Sequence, residues 1–163
     1  MKIAIVSDIH DNIWKLADAT AKIAETGAEV LVFCGDFCAP FTLKQLAEGF
    51  AGLVHVVWGN NDGDKWLLTT IAAQVGNVTL YGELAEFEAG GQKIGVNHYP
   101  NIGQRLAESG AYDLVCYGHD HTARIDQVGQ TCLVNPGEIM GRFGQSTFAL
   151  YDTETGEAML VEI

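Results

Sequence analysis

Short apolar runs alternate with amphipathic stretches along the first half of the chain. Lys2 to Ser7 and Glu29 to Cys34 are rich in Ile and Val and almost wholly apolar, as strands covered on both faces are. They are expected to be central parallel strands. Between them, residues 12 to 26 place apolar side chains at Ile13, Leu16, Ala17, Ala19, Ile23 and Ala24, and Gly27 is a natural C-terminal stop. That segment completes a βαβ unit. The pattern recurs in a helix over residues 40 to 50, with Pro40 in its first turn, and a third strand from Leu53 to Trp58. Asp64 is placed to cap a further helix over 65 to 75.

After Gly76 the period changes. Leu84 to Glu88 and Lys93 to Asn97, joined by Ala89-Gly90-Gly91, predict a hairpin. A helix near 102 to 109 and a strand from Tyr112 to Tyr117 follow. From Arg124 onward, short runs (Ile125 to Val128, Cys132 to Val134, Ser146 to Tyr151, Ala158 to Ile163) separated by Gly-containing turns predict antiparallel pairing. No linker, low-complexity segment or fixed repeat interrupts the chain, so residues 1–163 are expected to form one domain around a shared core.

Composition narrows the function classes. At 163 residues the chain is long enough to bury a core without disulfides or structural zinc. Acidic residues outnumber basic ones 21 to 9, a net charge of −12, which argues against a duplex nucleic acid partner. Two bound divalent cations would offset part of that charge. Cys34, Cys116 and Cys132 lie in apolar, strand-like stretches, Cys38 lies in a loop, and no CxxC occurs, so reduced thiols in a cytoplasm are expected. No apolar run approaches membrane-spanning length, and the first residues enter a strand directly, so a soluble, unexported protein without a membrane partner is the expectation. His55, mid-strand and outside any motif, is expected to pack without a catalytic role.

Metal-capable residues recur where strands end. Asp8 and His10 follow the first strand, Asp36 the second and Asn60 the third; His98 ends the hairpin, and His119 and His121 follow the strand ending at Tyr117. In α/β sheets that edge gathers loops from several parallel strands and is where ligands bind. The pairs Asp8/His10 and His119/His121 share i, i+2 spacing, which in an extended segment sends both side chains to one face. Either pair alone is weak evidence; with Gly35-Asp36 and Gly59-Asn60 the signal becomes strong. No G-x-S-x-G turn or P-loop suggests a different chemistry.

These residues, in order, carry a resemblance. Asp8-Ile9-His10, Gly35-Asp36, Gly59-Asn60-Asn61-Asp62, His98 and Gly118-His119-Asp120-His121 resemble the calcineurin-like metallophosphoesterases over nearly the whole chain. The short length, Gly35-Asp36-Phe37 and Asn135-Pro136-Gly137-Glu138 look like the small bacterial and archaeal phosphodiesterase branch. The resemblance implies an α/β fold, a four-layer α-β-β-α sandwich of two mixed sheets packed face to face with helices outside. It implies one metal on Asp8, His10, Asp36 and His121, and a second on Asp36, Asn60, His98 and His119, with Asp36 bridging. Carboxylate, imidazole and amide donors suit manganese, the first expectation, or nickel, iron or zinc. Such a pair holds a bridging hydroxide and clamps an in-line displacement at the phosphorus of a small-molecule phosphate ester.

Within that set, catalytic work is assigned to Asn60, Asn61 and His98. Many relatives carry histidine where this chain has Asn61, and there it stabilises or protonates the leaving oxygen. An amide is no general acid, so activated phosphodiesters are expected to be favoured over alkyl monoesters. Tyr99 replaces the small residue that commonly follows the family's histidine and is expected to line the pocket. Gly59 and Gly118 are expected to turn the backbone tightly towards the metals. Asp11, Asn12 and Asp62 stand near the site outside the ligand set, and Arg105, Arg124 and Arg142 are candidates for a phosphate contact. The resemblance also admits a homo-oligomer. The main rival is a non-catalytic interaction scaffold on the same fold, known in a membrane-trafficking subunit whose metal site is eroded. A metallo-β-lactamase-like hydrolase is disfavoured because Ala123 and Arg124 follow His121 where that motif needs Asp and His.

Overall fold

A computed structural model describes residues 1–163. The first half builds three βα units: β1 (Lys2–Val6), α1 (Ile13–Thr26), β2 (Val30–Phe33), α2 (Pro40–Gly49), β3 (Leu53–Val56) and α3 (Lys65–Val75), closed by β4 (Val78–Leu80). The second half contains β5 (Leu84–Ala89), β6 (Gln92–Asn97), α4 (Pro100–Glu108), β7 (Leu114–Cys116), β8 (Arg124–Val128), β9 (Thr131–Asn135), β10 (Thr147–Asp152) and β11 (Glu157–Glu162). One sheet has the order β11-β10-β1-β2-β3-β4 and the other β5-β6-β7-β9-β8.

Residue alternation explains the layers. In β1, Ala4 and Val6 face one apolar cluster while Ile3 and Ile5 face another; in β2, Leu31 and Phe33 divide from Val30 and Val32 in the same way. The first cluster packs the six-stranded sheet against α1, α2 and α3 through Leu16, Ile23, Leu43, Leu46 and Leu68. The second lies between the sheets, where Ile3, Val32 and Cys34 meet Ile94, Leu114 and Val134. A third cluster seats Ala107 of α4 against Val115 and Leu133 on the far side of the smaller sheet. The result is the four-layer sandwich implied by the sequence resemblance.

The helices end as their sequences dictate. The Asn12 side chain accepts from Lys15 N at 3.2 Å and the Asp64 side chain from Leu67 N at 3.0 Å, while Gly27 closes α1 with φ 72°. Two features depart from expectation. β4 was not predicted, since three residues give no measurable period. The final third is not uniformly antiparallel: β9 pairs antiparallel with β8 but parallel with β7, which is itself parallel to β6. All five β9 residues are buried, as befits a strand inside a sheet. Each sheet therefore holds a run of parallel strands, β1-β2-β3-β4 in one and β6-β7-β9 in the other, whose C-terminal edges carry the loops of the site.

Candidate metal centre

Those loops bring all seven sequence-predicted donors together. Asp8 and His10 follow β1, Asp36 follows β2, Asn60 follows β3, His98 follows β6, and His119 and His121 follow β7. Asp8, Asp36 and His98 form a buried floor, and Asn60 and His119 an exposed rim. Around Asp8 Oδ1, His10 Nε2 and His121 Nε2 each stand 3.5 Å away. Asp36 Oδ2 lies 3.6 Å from His10 Nε2 and 3.4 Å from His98 Nε2. Asn60 Oδ1 then sits 3.1 Å from His98 Nε2 and 2.8 Å from His119 Nδ1.

The pairing of these atoms tests whether a cation fits. Asp8 Oδ1 and His10 Nε2 are buried with no hydrogen-bond partner, a costly arrangement unless something else binds them. His98 Nδ1 meets the Cys34 carbonyl at 2.7 Å, and His121 Nδ1 meets Glu138 Oε2 at 2.6 Å. Both contacts put the hydrogen on Nδ1, so in the neutral ring the Nε2 lone pair is the one turned inward. For His98 that lone pair faces two oxygens, Asp36 Oδ2 and Asn60 Oδ1, so acceptors surround a common point. Positive charge satisfies such a set, and the mixed N/O donors suit a divalent transition metal.

Titration behaviour agrees. The Asp8 carboxylate raises the pKa of His10 against the opposing effect of burial. Burial would lower that of His98, but Asp36 and Asp8 outweigh it and raise it. Burial also opposes the Asp36 charge, yet the facing His98 ring and the hydrogen bonds from Asn61 hold its carboxyl at about 2. The Cys38 thiol, 3.5 Å from His10 Nδ1, is pushed up to about 12 by burial and by the surrounding carboxylates, so it stays protonated.

Local backbone shape departs from the extended geometry expected for the i, i+2 pairs. Asp8, His10, His119 and His121 have φ of 54°, 43°, 74° and 58°, and Asp36 has 68°. Left-handed turns, not strand alternation, aim these side chains inward. Non-glycine residues rarely hold that conformation, and such strain gathers at functional sites. Gly59 and Gly118 also work differently from expectation, since neither has positive φ. A Cβ on Gly59 would strike the Asp36 carboxylate, and one on Gly118 would strike Ser7 Oγ and come within 2.7 Å of Asp8 Oδ2. The missing side chain is what lets the loops close on the carboxylates.

Residues outside the donor set support it, Asp11 and Asp62 among those already expected near the site, Ser7 without any expectation from the sequence. Asp62 accepts from the backbone N–H groups of Asp36, Phe37, Cys38 and Gly59 at 2.7–3.1 Å, tying the β2 and β3 loops together. Asp11 caps α2 from outside, accepting from Ala39 N at 2.9 Å and Thr42 Oγ1 at 2.6 Å. Asn135 holds the β7 loop through Asp120 Oδ1 at 2.6 Å. Glu138 is buried behind His121, and its position just beyond a parallel strand was the signal that could have singled it out. Ser7 donates to Asp8 Oδ2 at 2.5 Å. Asn61 donates from its backbone to Asp36 Oδ1 and from its side chain to Oδ2, both at 2.8 Å. Tyr99 packs edge-on against His98 and His119. His55 packs apart, stacked on Phe87 with Nδ1 2.8 Å from Tyr81 OH.

Comparison with known proteins places this geometry in context. A family model described as the calcineurin-like phosphoesterase superfamily domain matches residues 1–156. A phosphodiesterase of Methanocaldococcus jannaschii is 29% identical over 160 residues, covering 96% of each chain. Phosphodiesterase YfcE of Escherichia coli is 27% identical over 153 residues, covering 85% of this chain and 79% of its own. Among solved structures, one of an archaeal phosphodiesterase superposes with a TM-score of 0.92 at 28% identity, covering 100% of both chains.

Proposed function

The chain belongs to the calcineurin-like phosphoesterase superfamily, and from that premise we propose that it is a metal-dependent phosphodiesterase with a binuclear centre. Its relatives named as phosphodiesterases span nearly its full length, which supports the same reaction class here. The observation that carries the binuclear reading is the position of Asp36 Oδ2, 3.6 Å from His10 Nε2 and 3.4 Å from His98 Nε2. One carboxylate oxygen serves two donor sets. Asp8, His10, Asp36 and His121 would hold one ion, and Asp36, Asn60, His98 and His119 the other. Divalent ions bound there, manganese first among manganese, nickel, iron and zinc, supply an activated water and neutralise phosphoryl oxygens for in-line displacement.

The chain's own groups do the positioning. Glu138 and the Cys34 carbonyl hold His121 and His98 in the tautomer that offers Nε2. Asp62 and Asn61 keep Asp36 turned to the centre, while the exposed rim of Asn60 and His119 leaves an approach for a small-molecule phosphate ester. Asn61, engaged with Asp36, has no acidic proton for a leaving oxygen, so esters with good leaving groups are favoured. We further read residues 1–163 as a single domain. A reducing cytoplasm suits its four thiols, none disulfide-bonded.

A scaffold without catalysis is the alternative, but it requires no converging donors, and here all seven converge. Metal analysis combined with an aryl phosphodiester assay decides between them. Manganese-dependent turnover that disappears in Asp36→Asn is the expected result; absence of both metal uptake and turnover in the wild-type protein would favour the scaffold.

A further inference from the structure

The segment after β9 runs from the core along the Asp8 and His121 side of the centre. It is pinned at several points: Ile139 N donates to Ser7 O and Met140 N to Asp8 O, both at 3.1 Å, and Asn12 Nδ2 donates to Met140 O at 2.9 Å. Glu138 links it to the donors directly. One carboxylate oxygen meets His121 Nδ1, while the other accepts from Phe143 N at 2.5 Å and Gly144 N at 3.1 Å. The Phe143 ring is thereby set edge-on against His121, with centroids 5.1 Å apart and planes at 85°. Arg142 lies over the same ring, its Cζ 5.1 Å from the centroid.

Packing does not account for this pair. Phe143 is 68% exposed and belongs to no apolar cluster. Arg105 pairs with Glu108 and Arg124 with Asp126, each at 2.6 Å, whereas Arg142 joins no ion pair in a chain of net charge −12. A guanidinium held on an aromatic face keeps its N–H edge free, and that fork matches phosphoryl oxygens. A fixed ring beside it offers a flat apolar surface.

Resting on the phosphodiesterase reading, we propose that Arg142 and Phe143 form the substrate-selecting wall of the centre. The guanidinium donates to a non-bridging phosphoryl oxygen, and the ring lies against a planar aromatic ester group, so the favoured substrates are phosphodiesters carrying such a group. Glu138 is the positioning residue that sets wall and His121 in one register.

The test compares manganese-loaded wild type, Arg142→Gln, Arg142→Lys, Phe143→Ala and Phe143→Leu, each checked for equal metal content. Two measurements are made: hydrolysis of bis(p-nitrophenyl) phosphate against methyl p-nitrophenyl phosphate, which share a leaving group, and calorimetric binding of phenylphosphonate against methylphosphonate. Wild type is expected to prefer the aryl member of each pair by about tenfold. Phe143→Ala should abolish that preference, with Phe143→Leu intermediate. Arg142→Gln should raise KM for both esters about tenfold, more than it lowers kcat, with partial rescue by lysine. Unchanged preferences and KM values in metal-loaded variants overturn the wall. Binding needs no turnover, so wild type that selects phenylphosphonate through Phe143 yet hydrolyses neither ester upholds the wall and contradicts the phosphodiesterase reading instead.

Discussion

Asp36 divides the donor cluster into two halves that are supported differently. On one side, Asp8 is fully buried, its second oxygen is held by Ser7 Oγ and by the N–H of His119, and His121 is backed by the Glu138 carboxylate. On the other, Asn60 and His119 stand exposed, held by their own contact at 2.8 Å, by the 3.1 Å contact of Asn60 Oδ1 with His98 Nε2 and by the edge of Tyr99, with no buried carboxylate behind them. Only His98 on that side is buried and backed, by the Cys34 carbonyl. Donors fixed by surrounding groups lose little freedom on binding an ion, whereas exposed ones must be ordered first. The Asp8 half is therefore expected to bind its ion tightly and the Asn60 half to exchange.

The largest effect belongs to the shared carboxylate. Asp36→Ala should remove both ions and lower turnover on the order of 10³-fold or more, read from metal content and the diesterase rate together. A variant that keeps one full equivalent of metal would show that the halves are independent. Next, Glu138→Gln should weaken the tighter ion by about 10- to 100-fold and leave the weaker one nearly untouched. Calorimetric titration with manganese resolves the two steps. In the same titration, His119→Ala should erase the weaker step while the tighter step stays within about threefold of wild type. Equal steps in wild type would dissolve the distinction.

Asn61→His addresses the leaving group rather than the metals. Restoring an acid should raise alkyl monoester hydrolysis relative to aryl diester hydrolysis by about tenfold, the lower range of acid catalysis being reduced because the side chain must also leave Asp36. The smallest effect lies far from the cluster. Burial lowers the pKa of His55 below its usual 6.5, so the unfolded chain takes up that proton first. Its stabilising contribution is complete above 6.5 and lost as pH falls through the lower folded value. Denaturant midpoints should fall less between pH 7 and 5 in His55→Gln than in wild type.

Much of this was legible in the chain because buried strands and capped helices leave strong local marks. Val30 to Phe33 had to be a strand covered on both faces, and Asn12, Gly27 and Asp64 bounded their helices where the periodicity ended. The order and strand-end placement of Asp8, Asp36 and Asn60 likewise predicted their meeting. What stayed hidden depended on contacts distant in sequence. Glu138 lies 17 residues from the His121 it supports, and Asp62 reaches back 26 residues to the Asp36 amide. The left-handed φ of His10 and His119 also left no mark, because neither is a glycine. Gly59 was singled out for the right place and the wrong reason: closeness to Asp36, not freedom of φ, requires it. The parallel pairing of β9 was missed because a buried five-residue run reads alike in either direction.

Anomalous diffraction from crystals grown with manganese tests the central claim most directly. Two peaks flanking Asp36 Oδ2 are predicted, one against Asp8, His10 and His121 and one against Asn60, His98 and His119, with the first at higher occupancy. No peak beside Asp36, or ions bound elsewhere while the seven side chains keep their present contacts, would contradict it.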